Sequence, residues 1–170
     1  KALSLFIGGT NKGKTLWKCS LAKSALIHGH NVLFIPLEGT EQNIRDRIMF
    51  NLMDKSRSDL EKLSLEEIKS LFNKIKNSVG HKFIVKEYSE HSLNAIKLRF
   101  LLKELKEKKG FVPDIVFIDY LGLVIPNTVF KDGGNPAFLL KRASEEFNAV
   151  AKDFNFAIVS SMQFNRSGYN

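Results

Sequence analysis

Leu3-Ser4-Leu5-Phe6-Ile7-Gly8-Gly9-Thr10-Asn11-Lys12-Gly13-Lys14-Thr15 decides the fold. The short apolar run Leu3–Ile7 meets a glycine pair, as a buried strand entering a turn does, and helix formers follow from about Gly13 to His28. Gly8–Thr15 matches G-x-x-x-x-G-K-[ST], the phosphate-binding loop, in the strand-to-helix setting that this pattern requires. Glycines let successive backbone N–H groups curl toward a phosphate, and the following helix adds its positive end. In this reading Gly8, Gly9, Thr10, Asn11, Lys12 and Gly13 form the cradle. Lys14 reaches the β- and γ-phosphates, and the Thr15 hydroxyl is offered to Mg²⁺.

Working outward, Gly29 is an expected left-handed helix stop, and Asn31–Leu37 reads as a second buried strand. Ile44, Ile48 and Leu52 then recur at helical spacing. Ser58…Glu61 and Ser64…Glu67 both resemble capping boxes, and Ile68, Leu71, Phe72 and Ile75 are expected to give the second helix a buried face. Lys82–Glu87 is a strand candidate. Ser92 is expected to start a helix striped by Leu93, Ile96, Leu101 and Leu105 and closed by Gly110. Ile115–Ile118 is a β-branched and aromatic run of the kind found in strands covered on both faces, so it is placed centrally. A glycine-rich loop, a helix near Ala137–Asp153 and a last strand, Phe156–Ser161, complete the chain.

Alternating strands and helices imply an α/β fold: a mostly parallel central sheet with helices on both faces. Chemistry in such folds sits just beyond the carboxyl ends of the strands. Besides the loop at Gly8–Thr15, that rule selects Glu38, Asp119 and Gln163. Asp119, ending the most hydrophobic strand, is placed to hold Mg²⁺, the Walker-B role. Glu38 is the candidate base for a water attacking the γ-phosphate. Gln163 can bond a phosphate or orient that water without changing charge. Trp17 and Phe6 are read as core side chains, Cys19 as a small buried residue, and the four histidines as lacking the spacing of a metal site.

The 170 residues fit one domain. Hydrophobic residues make up 44% and charged residues 26%, as in an ordinary soluble domain. The single cysteine excludes an internal disulfide and fits a reducing interior. With no apolar run of about 18 residues and no secretion signal, the expected location is cytoplasmic. A net charge of +8 makes a polyanionic partner plausible without naming it. Both ends read as cut: Lys1 enters the first strand at once, and the chain stops in a loop-like tail, Ser167–Asn170.

These residues resemble the hexameric replicative helicases of the DnaB type, in the version carried by T-even-like phages. The likeness spans nearly the whole chain. It rests on the Gly8–Thr15 loop, on Gly29–Ile35 leading to Glu38, on Ile84–Tyr88, on Phe111–Asp114 running into Ile118-Asp119-Tyr120-Leu121-Gly122, and on Gln163-Phe164-Asn165-Arg166-Ser167. The resemblance implies a RecA-like ATPase domain, residues 1–170, that uses ATP and Mg²⁺. It further implies a homo-hexameric ring moving along single-stranded DNA in a phage or bacterial replisome, with a primase and a loader as partners. Glu38 would be the catalytic base, Asp119 the Walker-B acid and Gln163 the sensor. Residues Pro126–Pro136, with Lys131, would form the first channel loop, and the second would begin after Arg166. The family's arginine finger, final strands and primase-interacting domain are expected outside this sequence. A RecA-like recombinase or clock-type ATPase is the alternative, disfavoured by Asp119-Tyr120-Leu121 and Gln163-x-Asn165-Arg166. A small-molecule kinase would need an arginine-rich lid, where the late segment offers only Arg142 and Arg166. A non-catalytic nucleotide-binding module requires Glu38 or Asp119 to be misplaced.

Overall fold

A computed structural model describes residues 3–9, 12–79, 82–127 and 135–163. In chain order the elements are β1 (Leu3–Gly8), α1 (Lys14–Ile27), β2 (Val32–Pro36), α2 (Glu41–Met53), α3 (Arg57–Leu60), α4 (Leu65–Val79), β3 (Phe83–Val85), α5 (Ala95–Lys109), β4 (Ile115–Asp119), a 3₁₀ turn (Leu121–Leu123), α6 (Pro136–Asp153) and β5 (Ala157–Gln163). The five strands pair in the order β1-β5-β4-β2-β3, and every pairing is parallel. The expected α/β architecture is therefore present, with Ile115–Ile118 in its central strand.

Why these strands sit inside follows from their alternation. In β2, Leu33 and Ile35 pack on one face with Leu98, Leu102 and Phe147, while Val32 and Phe34 pack on the other with Cys19, Leu26 and Ile48. Val116 and Ile118 of β4 join the first cluster and Phe117 the second, where its ring stacks on Phe34 at 5.5 Å. A strand covered on both faces must be apolar at every position, so it reads as a run rather than an alternation.

β1 departs from its expected burial. Leu5, Phe6 and Ile7 are 37%, 39% and 57% exposed. Among the described residues β1 pairs with β5 alone, so it forms an edge of the sheet. An apolar run fixes the strand but not its depth in the sheet. Phe6 and Trp17 are likewise not core: both are 39% exposed, and their rings meet each other with centroids 3.7 Å apart.

The helix starts are corrected in detail. α5 begins two residues later than expected: Asn94 is its cap, accepting the Lys97 N–H at 2.9 Å, while the Ser92 hydroxyl donates to the Ser89 carbonyl. Its buried face is Ala95, Leu98, Leu101, Leu102 and Leu105, and Ile96 points outward at 49% exposure. The first capping box is Ser56 with Asp59 rather than Ser58 with Glu61, whereas Ser64 and Glu67 close the second as expected. On α4 Val79 is buried, Ile68, Leu71 and Ile75 are half-buried, and Phe72 is exposed.

The cap assignment has a measurable consequence. Asn94→Ala should lower stability by about 1 kcal/mol in urea unfolding, because it orphans a first-turn N–H. Ser92→Ala, outside the helix, should stay within about 0.5 kcal/mol of the parent.

Candidate active site

The carboxyl ends of β1, β2 and β4 open on one cleft of about 410 Å³. Lys12, Gly13, Lys14 and Thr15 line one wall, Glu38, Gly39, Thr40, Asn43 and Arg47 the opposite wall, and Asp119 and Tyr120 the floor. Strand-end residues far apart in sequence are thus brought together.

The loop wall is built by backbone geometry. Gly13 caps α1 at φ +76°, a left-handed conformation that a side chain would strain, and as a glycine it makes no side-chain cap to the helix's first N–H groups. The first turn also carries no acidic residue, which keeps the positive helix end unopposed. The Lys14 ammonium folds over the loop, donating to the carbonyls of Gly8 at 3.1 Å and Gly9 at 2.6 Å. Thr10 and Asn11 lie outside the described residues.

The opposite wall is fixed by the start of α2. Leu37 extends the β2 ladder by donating its N–H to the Asp119 carbonyl at 2.9 Å, and Glu38 follows at the rim, exposed. Gly39, at φ +87°, then turns the chain into α2. Thr40 caps that helix through the Asn43 N–H, and Glu87 accepts the Glu41 N–H at 2.8 Å. Glu38 thus stands between two constrained segments, facing the cleft.

On the floor, Asp119 is 5% exposed. Its Oδ2 accepts the Thr15 hydroxyl at 2.6 Å and its Oδ1 accepts the Lys18 ammonium. Lys18 has no exposed surface and also donates to the Ser161 hydroxyl at 2.7 Å. Burial pulls the Lys18 ammonium below the ordinary lysine range, against the opposing pull of Asp119. Burial, helped by the charges of Glu38, Glu90 and Asp119, holds the Tyr120 phenol above its usual range. A carboxylate and a hydroxyl in contact beside the Lys12–Thr15 wall form an oxygen donor set suited to Mg²⁺, which takes one or two protein oxygens and leaves the rest to phosphate and water. The residues present fit that ion.

Gln163 ends β5 with its backbone beside Gly8, in register with the loop strand. Its side chain, together with Lys131, Asn165, Arg166 and Ser167–Asn170, lies outside the described residues; so does most of the expected channel loop, of which Pro126, Asn127, Asn135 and Pro136 are described. Sequence reasoning missed Lys18 and Arg47. Lys18 was detectable: Thr15, Lys18, Cys19, Ala22 and Leu26 form one face of α1, and a lysine within an otherwise small and apolar stripe needs an acid to face. Arg47 carried no such signal, because a charged residue on α2 reads as solvated surface.

The profile of the DnaB-like helicase C-terminal domain matches residues 2–170. The chain belongs to this family. It is 34% identical over 172 residues to the DnaB-like replicative helicase of Enterobacteria phage T4, an alignment covering 99% of this chain and 36% of that protein. The chain therefore spans about a third of that relative's length. Its fold resembles that of a DnaB-like replicative helicase whose structure concerns its interactions with primase, with a TM-score of 0.72 at 16% identity over 98% of this chain and 39% of that one. It also resembles a second solved structure, described as an ATPase domain, with a TM-score of 0.73 at 16% identity over 98% of this chain and 58% of that one. The fold is thus the RecA-like ATPase fold of DnaB-type helicases. No helix among the described residues is long and apolar enough to cross a membrane.

Cys19, one residue beyond Lys18, offers a check on the packing of α1. It is fully buried, and burial pushes its thiol up to about 11. At pH 8 only about one molecule in a thousand should carry the thiolate, so alkylation by iodoacetamide should be slow in the folded protein and should accelerate only as pH approaches 11. Rapid labelling at pH 8 without unfolding would contradict this placement of the helix.

Proposed function

We propose that residues 1–170 form the ATP-driven motor domain of a replicative DNA helicase, part of a longer chain. It would couple Mg-ATP hydrolysis to movement along single-stranded DNA and to duplex unwinding. Family membership supports the class of activity. The observation that carries the assignment to these residues is the contact between Thr15 and Asp119, which closes the phosphate-binding loop onto the end of the central strand.

In this proposal the first-turn N–H groups of α1, with Gly8–Gly13, cradle the triphosphate, and Lys14 leaves its carbonyl partners to pair with the outer phosphates. Thr15 and Asp119 hold Mg²⁺, which when bound neutralises charge on the transferring phosphoryl group. Glu38, at the rim across from the loop, takes a proton from the attacking water. Gln163, placed by β5 next to Gly8, senses the γ-phosphate and passes its presence toward the segment beyond the strand. Pro126–Pro136, with Lys131, and the segment following Arg166 meet DNA phosphates in the channel of a homo-hexamer. A primase and a loader are the partners, in the cytoplasmic replisome of a phage or its bacterial host.

Lys14→Ala should abolish binding of a non-hydrolysable ATP analogue in calorimetry, since it removes the charge that faces the outer phosphates. Unchanged affinity would sink the assignment of the loop.

Glu38→Gln in the full-length protein should keep nucleotide affinity while turnover falls by about 10²–10⁴, the usual loss on removing a general base. Steady-state ATPase within a few-fold of the parent would place the base elsewhere.

A further inference from the structure

Lys18 has no part in the function proposed above. It is nevertheless the largest fully buried polar side chain among the described residues, and its partners lie on two neighbouring strands, Asp119 at the end of β4 on the cleft floor and Ser161 within β5. Its ammonium donates to Asp119 Oδ1, while Thr15 takes Oδ2 at 2.6 Å, so both oxygens of the acid are held by one helix. Ser161 on β5 accepts a second Lys18 hydrogen at 2.7 Å, which fixes the ammonium from the far side. The four side chains form one continuous hydrogen-bonded array, and every buried side-chain polar atom among the described residues has a partner.

Such an array places a positive charge where a divalent cation would otherwise draw on the full charge of Asp119. Lys14 adds a second cation on the loop, and Lys12 and Arg47 line the cleft, against Glu38 and Asp119 as the only acids among its described lining residues. A site of this balance repels a free divalent ion and attracts polyphosphate. We propose that Lys18 is a positioning residue and built-in counter-charge for Asp119, making divalent-metal binding conditional on nucleotide. With phosphates in the cleft, their several negative charges outweigh both lysines and the ion is held. Without them Lys18 satisfies the acid and the ion is not. The proposal rests on Asp119 being the acid that faces the metal.

The test is Mn²⁺ binding to the protein, followed by electron paramagnetic resonance of the free ion, without nucleotide and with a non-hydrolysable ATP analogue. In Lys18→Met, nucleotide-free Mn²⁺ affinity should rise about tenfold or more, because a full opposing charge is removed from the carboxylate. Affinity in the presence of nucleotide should change far less. Adding Asp119→Asn to Lys18→Met should erase the gain and so locate the ion. If Lys18→Met fails to fold by circular dichroism, Lys18→Gln takes its place, since it keeps hydrogen-bond donors for Asp119 and Ser161 while losing the charge. A folded variant whose nucleotide-free Mn²⁺ affinity is unchanged or weaker overturns the proposal. Failure of the underlying site assignment looks different: the unmodified protein would then bind the ATP analogue no better with Mn²⁺ than in EDTA.

Discussion

A carboxylate buried at the end of the central strand is the constraint around which the molecule is arranged. Asp119 is nearly inaccessible, and an ionised carboxyl in such a place is tolerated only when charge and hydrogen bonds meet it. α1 supplies both, from Thr15 and Lys18, three residues apart and hence on one helix face. That requirement fixes the rotation of α1 about its axis. The same rotation turns Cys19, Ala22 and Leu26 onto Phe34 and Phe117, so polar satisfaction and core packing select one docking of the helix.

Because α1 begins where the loop after β1 ends, the position of that loop's described end, Lys12 and Gly13, is inherited from this docking. Its other anchor, β1, is an edge strand among the described residues, tied to the sheet through β5 alone and exposed along Leu5, Phe6 and Ile7. The tie through Thr15 and Lys18 to β4 therefore matters more to loop placement than the strand that precedes the loop. On the opposite wall Glu38 is positioned by the same strand, since Leu37 donates to the Asp119 carbonyl just before it. One residue thus organises both sides of the cleft, its side chain holding the loop and its backbone holding the segment that bears the candidate base.

What the sequence made legible follows from which interactions are local. Strand and helix order, the central place of Ile115–Ile118 and the capping box at Ser64 could be read because turn glycines, apolar runs and caps act over a few residues. The gathering of Lys12–Thr15, Glu38 and Asp119 was legible because a parallel sheet puts strand ends on one side. The depth of β1 was not, since burial of a strand depends on which strands flank it. The start of α5 slipped by two residues because Ser92 and Asn94 both cap well locally, and the choice between them falls to packing of Leu93, which is fully buried just ahead of the helix. Phe6 and Trp17 were misplaced for a related reason: large aromatics suit a core, and only the lone edge strand beside them leaves them at the surface.

Lys18 shows how a local pattern can be present and still unread. Taken singly, lysine in a helix suggests solvent. Taken with its neighbours at three- and four-residue spacing, it stands in the one stripe of α1 that must be buried. A charge can persist there only opposite a partner, and the topology offers Asp119, which β4 delivers to that helix face. The stripe and the strand-end acid therefore imply each other. A buried base on the helix after the loop calls for an acid at the end of the central strand, and that acid, once paired, holds the start of the helix, and the loop's end with it, against the floor of the cleft.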